Sequence, residues 1–157
     1  MARPPQFERS EVLEKATQLF WERGYRGASV SDLVKATGLL PGSIYASFGN
    51  KEGLFIACLE HYAAQADGLR SQWESDSSPL TSLRNHFFAI VGMATEGEGG
   101  RGCFLVNASV ECDESESAIR SKVRDCMAGN EAWIRDQLDA ARQVGELSEA
   151  TNTARLA

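Results

Sequence analysis

The sequence predicts an all-α fold: three short helices at the N-terminus, a long fourth helix, and a helical bundle beyond it. Three observations predict it. Apolar residues recur at three- and four-residue spacing along most of the 157 residues. Glycines, prolines and capping residues fall between those stretches, and no convincing strand or repeat interrupts them. With hydrophobic residues at 43%, charged residues at 24% and only 4 prolines, the chain has enough apolar surface to fold.

Helix 1 runs from Phe7 to Glu22, with Val12, Leu13, Ala16, Leu19 and Phe20 on one side and Glu11, Glu14 and Lys15 on the other. Gly24 ends it, and Tyr25-Arg26-Gly27-Ala28 is a tight connection. Ser29 and Asp32 form a capping-box pattern that opens helix 2, which reaches about Thr37. Gly38 supplies a left-handed stop and Pro41 a preset first turn, so helix 3 covers Pro41 to Ser47 and stops near Phe48-Gly49. Asn50 caps a long helix 4 extending to Trp73, with Leu54, Phe55, Cys58, Leu59, Tyr62, Ala66 and Leu69 on one stripe. Ser78-Pro79 starts helix 5, for which the spacing predicts Leu80, Leu83, Phe87, Ile90, Val91 and Ala94 inward. The segment Glu96 to Gly100 reads as a flexible loop. Helix 6 spans Phe104 to about Cys112, and Asp113 to Glu116 is a second capping-box pattern opening helix 7. Helix 7 sets Ile119, Val123, Cys126, Met127, Asn130, Ile134, Leu138 and Ala141 on one face and ends before Gly145.

Charge divides unevenly. Residues 1–53 hold seven basic against six acidic side chains, and the remainder nine against sixteen, within a net charge of −6. The acid therefore lies outside the N-terminal part, which leaves that part free to approach phosphates. The N-terminus has no apolar leader and no stretch is long enough to span a membrane, so a cytoplasmic location is expected. Cys58, Cys103, Cys112 and Cys126 lack paired C-x-x-C spacing, and His61 and His86 stand alone in the sequence, so neither a disulfide framework nor a metal site is expected. No phosphate-binding glycine loop follows a strand, and no nucleophile has a recognisable base, so no cofactor and no enzymatic activity are expected.

Two short helices joined by a glycine turn, braced by a first helix, form the helix-turn-helix in which a second helix can enter a major groove. The residue identities carry this further. Ala16 and Phe20, the Gly24-Tyr25 turn, Ser29, Asp32, Ala36 and Gly38, then Gly42-Ser43-Ile44-Tyr45, Phe48 and Lys51-Glu52-Gly53-Leu54 resemble the DNA-binding domain of the tetracycline-repressor (TetR) family over about forty residues. Arg101 to Asn107 with Glu111, and Ala140-Ala141-Arg142 with Gly145-Glu146-Leu147, resemble parts of helices 6 and 7 in one branch of it. The resemblance implies a DNA-binding domain at 6–53 and a ligand-binding and dimerisation domain at 54–157. It implies a dimeric regulator, usually a repressor, that meets a double-stranded operator and a small apolar or amphipathic effector.

Tyr45 on helix 3 and Lys51 at the start of helix 4 suit phosphate contacts; the alternative is that Tyr45 packs inward and Lys51 is merely solvated. Ser29 and Ser31 could donate to phosphates, and Asn50 adjoins Lys51 at the same helix start. Pro41, Gly42, Ser43 and Ser47 are the expected groove-facing positions. Helix 3 departs from the family in carrying Leu40 and Pro41 at its start and Ala46 near its end. It offers no Arg, Asn or Gln for bidentate base readout. Specificity is therefore expected to lean on Leu40 or Pro41 against thymine methyls, on DNA shape, and on Arg3 or Arg9 from an N-terminal arm.

Trp73, Phe87, Phe88, Met93, Phe104, Met127 and Trp133 could line an effector pocket, or be plain core. Cys103 at the start of helix 6, with Cys112 as a partner, admits a redox or electrophile sensor, against the alternative of a small buried apolar residue. Members of the family normally continue into two more helices after helix 7. The stretch from Ser148 to Ala157 is too short for both, so a truncated protein that pairs poorly, an interaction module or inactive relic, is the second reading.

Overall fold

A computed structural model describes residues 8–95 and 100–157. Among the described residues the chain is all-helical, without a strand. The helices are α1 (Arg9–Gly27), α2 (Val30–Thr37), α3 (Pro41–Phe48), α4 (Lys51–Asp76), α5 (Pro79–Thr95), α6 (Phe104–Glu111), α7 (Ser117–Gln143) and α8 (Thr153–Leu156), with a 3-10 turn at Glu114–Glu116. No described helix is long and apolar enough to cross a membrane. The expected Phe7 start of helix 1 and most of the Glu96 to Gly100 loop lie outside the described residues, as does Arg3.

Two compact units are distinguished. The first gathers α1 to α3, α4 as far as Ala63, and Phe104–Val123; the second gathers Ala64–Cys103 and Arg124–Ala157. In the first unit α1 packs on α2 and α6, and α2 on α3. Its core is aromatic. The Phe20 and Phe55 rings meet edge to face at 4.8 Å, Phe104 stands 5.4 Å from Phe55, and Trp21 and Tyr62 close around Phe104 at 5.9 and 5.8 Å. Such rings bury large area, and their edge-to-face contacts add to it.

Local chemistry sets the turns of that unit. Gly24 interrupts α1 with φ of 75°, a left-handed backbone that a side chain would strain. The Ser29 hydroxyl accepts Asp32 N–H and the Asp32 side chain accepts Ser29 N–H, a complete capping box at the start of α2. At its end Gly38 is left-handed, and the Thr37 hydroxyl accepts Leu39 N–H at 3.2 Å while donating to the Leu33 carbonyl. Leu39 is thereby turned into the core and Leu40 out of it, at 7% and 71% exposure. Pro41 then opens α3 where no N–H is needed.

The second unit is tied at its corners by hydroxyls and a carboxylate. Ser77 and Ser82 hydroxyls both donate to the Trp73 carbonyl, at 2.7 and 3.1 Å, which fixes the turn from α4 into α5. Glu146 accepts Leu80 N–H at 3.1 Å, occupying one of the unpaired donors that begin α5. Asp139 accepts the Thr153 hydroxyl at 2.6 Å, holding α8 to α7.

The register of α5 differs from the expected one. Leu83 is inward, but its buried neighbours are Ser82 and His86, whereas Phe87 and Val91 are about half exposed and Phe88 is more exposed still. Apolar residues occupy two adjoining stripes of this helix, so spacing could not choose between them. Contacts from α4 and α7 to His86 do.

Candidate nucleic-acid interface

The helix pair α2 and α3 presents a small polar surface on a stiff base. In α3 only Ile44 is buried; Pro41, Gly42, Tyr45 and Ser47 are exposed and Ser43 is half-buried. Tyr45 is 50% exposed, so its ring stands partly clear of the core with its hydroxyl able to reach a phosphate. Leu40 and Pro41 offer methylene surface, while Ser43 and Ser47 offer hydroxyls that bond any base edge weakly.

The residues expected at phosphates divide into two groups. Ser31 is exposed on the first turn of α2. Ser29 is exposed as well, but its hydroxyl proton is given to Asp32 at 2.6 Å, and Arg23 pairs with the other Asp32 oxygen at 3.1 Å. The Ser29 hydrogen bonds, with Arg23 and Lys35 nearby, hold the Asp32 carboxyl below its usual range. The box therefore stays ionised and intact near neutrality. Arg9 opens α1 with its guanidinium over the Phe48 ring at 4.7 Å, clasping the end of α3.

Lys51 does more than meet solvent. Its Nζ donates to the carbonyls of Tyr25 and Ala28, at 2.9 and 3.0 Å, and lies 4.4 Å from the Tyr25 ring centre. An ammonium has three N–H groups, so these carbonyls take two of them. Asn50 accepts Gly53 N–H at 2.7 Å and caps α4. A Cβ on Gly53 would stand 2.0 Å from the Phe48 carbonyl oxygen, so the turn between α3 and α4 closes only over a bare glycine.

The same corner is held from its amide side by Glu111 at the end of α6. Its two carboxylate oxygens accept Tyr25 N–H and Arg26 N–H, both at 2.8 Å. A Cβ on Gly24 would lie 2.6 Å from that carboxylate. Arg26 in turn binds Glu116 at 3.0 Å and Asp113 at 2.5 Å. Ser115 and Arg26 keep the Asp113 carboxyl far below the usual range, and Arg26 lowers that of Glu116. The capping box expected at Asp113 and Glu116 is present; Glu111 stood out only through the family resemblance, and neither its contacts nor those of Arg26 were expected. An acid ending an apolar helix was the available signal.

The effector candidates are not gathered in one place. Trp73, Phe87 and Trp133 surround His86 in the second unit, with ring centres 6.3, 5.5 and 5.1 Å from it. Met93 and Met127 are half-buried and Phe88 is 65% exposed. Phe104 belongs instead to the aromatic core of the first unit. Cys103 precedes α6 and Cys112 follows it. An eight-residue helix separates them by about 12 Å, more than a disulfide spans. Burial, then Glu111 and Glu116, push the Cys112 thiol up to about 11, so it stays protonated and unreactive. Cys112 is thus not the intramolecular partner for Cys103 that the sequence suggested.

Residues 12–58 match the family described as bacterial regulatory proteins, tetR family, and residues 79–157 match the tetracyclin repressor-like C-terminal domain. Over 160 aligned residues the chain is 32% identical to the HTH-type transcriptional repressor ComR of Escherichia coli (strain K12), covering 99% of this chain and 75% of ComR. It is 33% identical to the HTH-type transcriptional repressor DhaR of Mycobacterium sp. (strain GP1), covering 86% of this chain and 65% of DhaR. Among solved structures it superposes with a TM-score of 0.85 and 30% identity on a cysteine mutant of the regulator CifR, complexed with 26 bp of double-strand operator DNA. That match covers 99% of this chain and 81% of CifR.

Proposed function

The chain belongs to the TetR family of bacterial regulatory proteins, and from that premise we propose that it represses a promoter as a homodimer and is released by a small molecule. It is a DNA-binding transcriptional regulator and not an enzyme. The observation that carries the reading is α3: a short helix whose outward residues are free of the core, on a corner braced through Lys51 and Glu111. Relatives bearing repressor names and an operator complex of CifR support it.

DNA binding is assigned to residues 6–53, and effector binding and dimerisation to 54–157. Two copies of α3 enter successive major grooves of a palindromic operator, about 34–36 Å apart. Tyr45, Ser31 and the remaining N–H of Lys51 hold phosphates; Pro41, Gly42, Ser43 and Ser47, with Leu40, face the bases. Exposed Phe87, Phe88 and Val91 on α5 give the second unit apolar surface of the kind that protein contacts cover. A soluble regulator of this class works in the cytoplasm. An effector that favours one spacing of the two α3 helices over another shifts operator affinity by its differential affinity for the two states.

Fluorescence anisotropy with DNA flanking the chain's own gene tests binding, and light scattering tests pairing. Saturable binding of two chains per site, steeply weakened by salt, is expected. A strict monomer that binds all duplexes alike would refute the reading.

A further inference from the structure

Arg70 on α4 and His86 on α5 are buried to nine-tenths or more, at 9% and 7% exposure, and both belong to the second unit. Each has a polar atom shut off from solvent without a hydrogen-bond partner among the described residues: Arg70 Nε and His86 Nε2. Buried polar groups are rarely left unmet, so two around one tryptophan, Trp133, call for a physical reason.

Arg70 donates to Asp67 at 2.8 Å and to Asn130 Oδ1, and Asn130 lies close enough to His86 to favour its protonated ring. Asp67, the acid paired with Arg70, is 69% exposed and its charge is largely screened by water. Glu74 commits one oxygen to Trp133 Nε1 and Gln137 Nε2, at 2.6 and 2.7 Å. A buried cation thus keeps an open donor beside an imidazole with an open nitrogen. The Trp133 ring lies against both, 5.1 Å from the guanidinium and 5.1 Å from the imidazole. Burial and Arg70 lower the His86 pKa, so without an anion the ring is neutral at pH 7.

We propose that Arg70 and His86 bind the carboxylate head of an apolar or aromatic acid whose body lies against Trp73 and Trp133, and that such an acid is the effector. This rests on the ligand-release reading above and adds the ligand's chemistry. Arg70 Nε–H gives a charge-assisted hydrogen bond. A bound anion favours the protonated ring, so His86 gives a second from Nε2–H, and the two tryptophans supply the flat apolar surface that fixes orientation.

The purified full chain is titrated with naphthoate and octanoate and with their amides. Tryptophan emission and calorimetry are read alongside operator anisotropy on the same samples. The acids are expected to bind at least tenfold more tightly than their amides and to change the tryptophan emission. R70K, which keeps the charge but loses the Nε–H, and H86Q are each expected to weaken acid binding at least tenfold and amide binding less than threefold. Should R70K fail to fold, H86Q and the acid-to-amide ratio in the unaltered chain decide. Acids and amides binding alike, or neither binding at millimolar concentration, overturns the proposal. Acids that bind without weakening operator binding leave the site standing and overturn ligand release; release by the amides alone does the reverse.

Discussion

Replacing Glu111 by alanine tests the corner that carries α2 and α3. The carboxylate accepts two backbone N–H groups, from Tyr25 and Arg26, both at 2.8 Å. A hydrogen bond to a charged group contributes about 1.5–3 kcal/mol. The Arg26 bond is exposed, so the lower end applies there, and the Tyr25 bond is part-buried. E111A should therefore cost about 2–4 kcal/mol in the first unit, and E111Q, which keeps one acceptor but turns an NH2 toward the other N–H, about as much as losing one bond. At about 2 kcal/mol per molar urea, the midpoint moves down by about 1–2 M. The assays are urea unfolding followed by circular dichroism and amide hydrogen exchange of Tyr25 and Arg26. Operator affinity should fall in step, because a looser corner must be ordered on binding. A loss under about 0.5 kcal/mol with unchanged exchange at both amides would refute the reasoning, since it would mean that water replaces Glu111 without cost.

Gly53→Ala adds a better helix former near the start of α4, yet its Cβ would lie 2.0 Å from the Phe48 carbonyl oxygen. It is expected to destabilise by about 1–3 kcal/mol, as for overpacking, and to weaken operator binding; a thermal melt showing stabilisation would contradict the close approach. His86 has its pKa lowered from 6.5 by burial and by Arg70. A histidine that is harder to protonate when folded contributes stability above the unfolded value and loses it as pH falls below 6.5 toward the folded one. The unaltered chain should lose stability over that window by more than H86Q does, and parallel pH profiles would count against it. Burial pushes the Cys58 thiol up to about 12, and Cys112 is held at about 11. Mass spectrometry after brief iodoacetamide treatment at pH 7.5 should find both unmodified in the native chain and modified in urea. Rapid native labelling of Cys112 would show that the end of α6 opens.

The helix-turn-helix was legible because its signals are local. Gly38, Pro41 and the Ser29–Asp32 pair each act within four residues, and each is found doing what its chemistry suggests. The register of α5 was not legible, since Phe87 and Val91 match the apolar spacing as well as any buried residue. A histidine goes inward there because Asn130 and Trp133 on α7 and Arg70 and Trp73 on α4 receive it. The contacts of Glu111 escaped for the same reason: its partners lie 85 and 86 residues away. For the proposed interface, residue types pointed to α3 side chains that are exposed, but not to Lys51 giving two of its donors to the chain's own carbonyls.

The single buried side chain of α3 has a consequence for how such a regulator changes. Since Ile44 is the one buried side chain of that helix and Phe48 is held by Arg9, its exposed residues carry little folding duty. If Gly42, Ser43 and Ser47 face the bases as proposed, substitutions there can change the operator at little cost to the scaffold. A gene duplicate would thus be free to drift to another promoter through a handful of changes on one helical turn. A designer could rewrite the same positions by selection, leaving Ile44, Gly53 and Lys51 untouched.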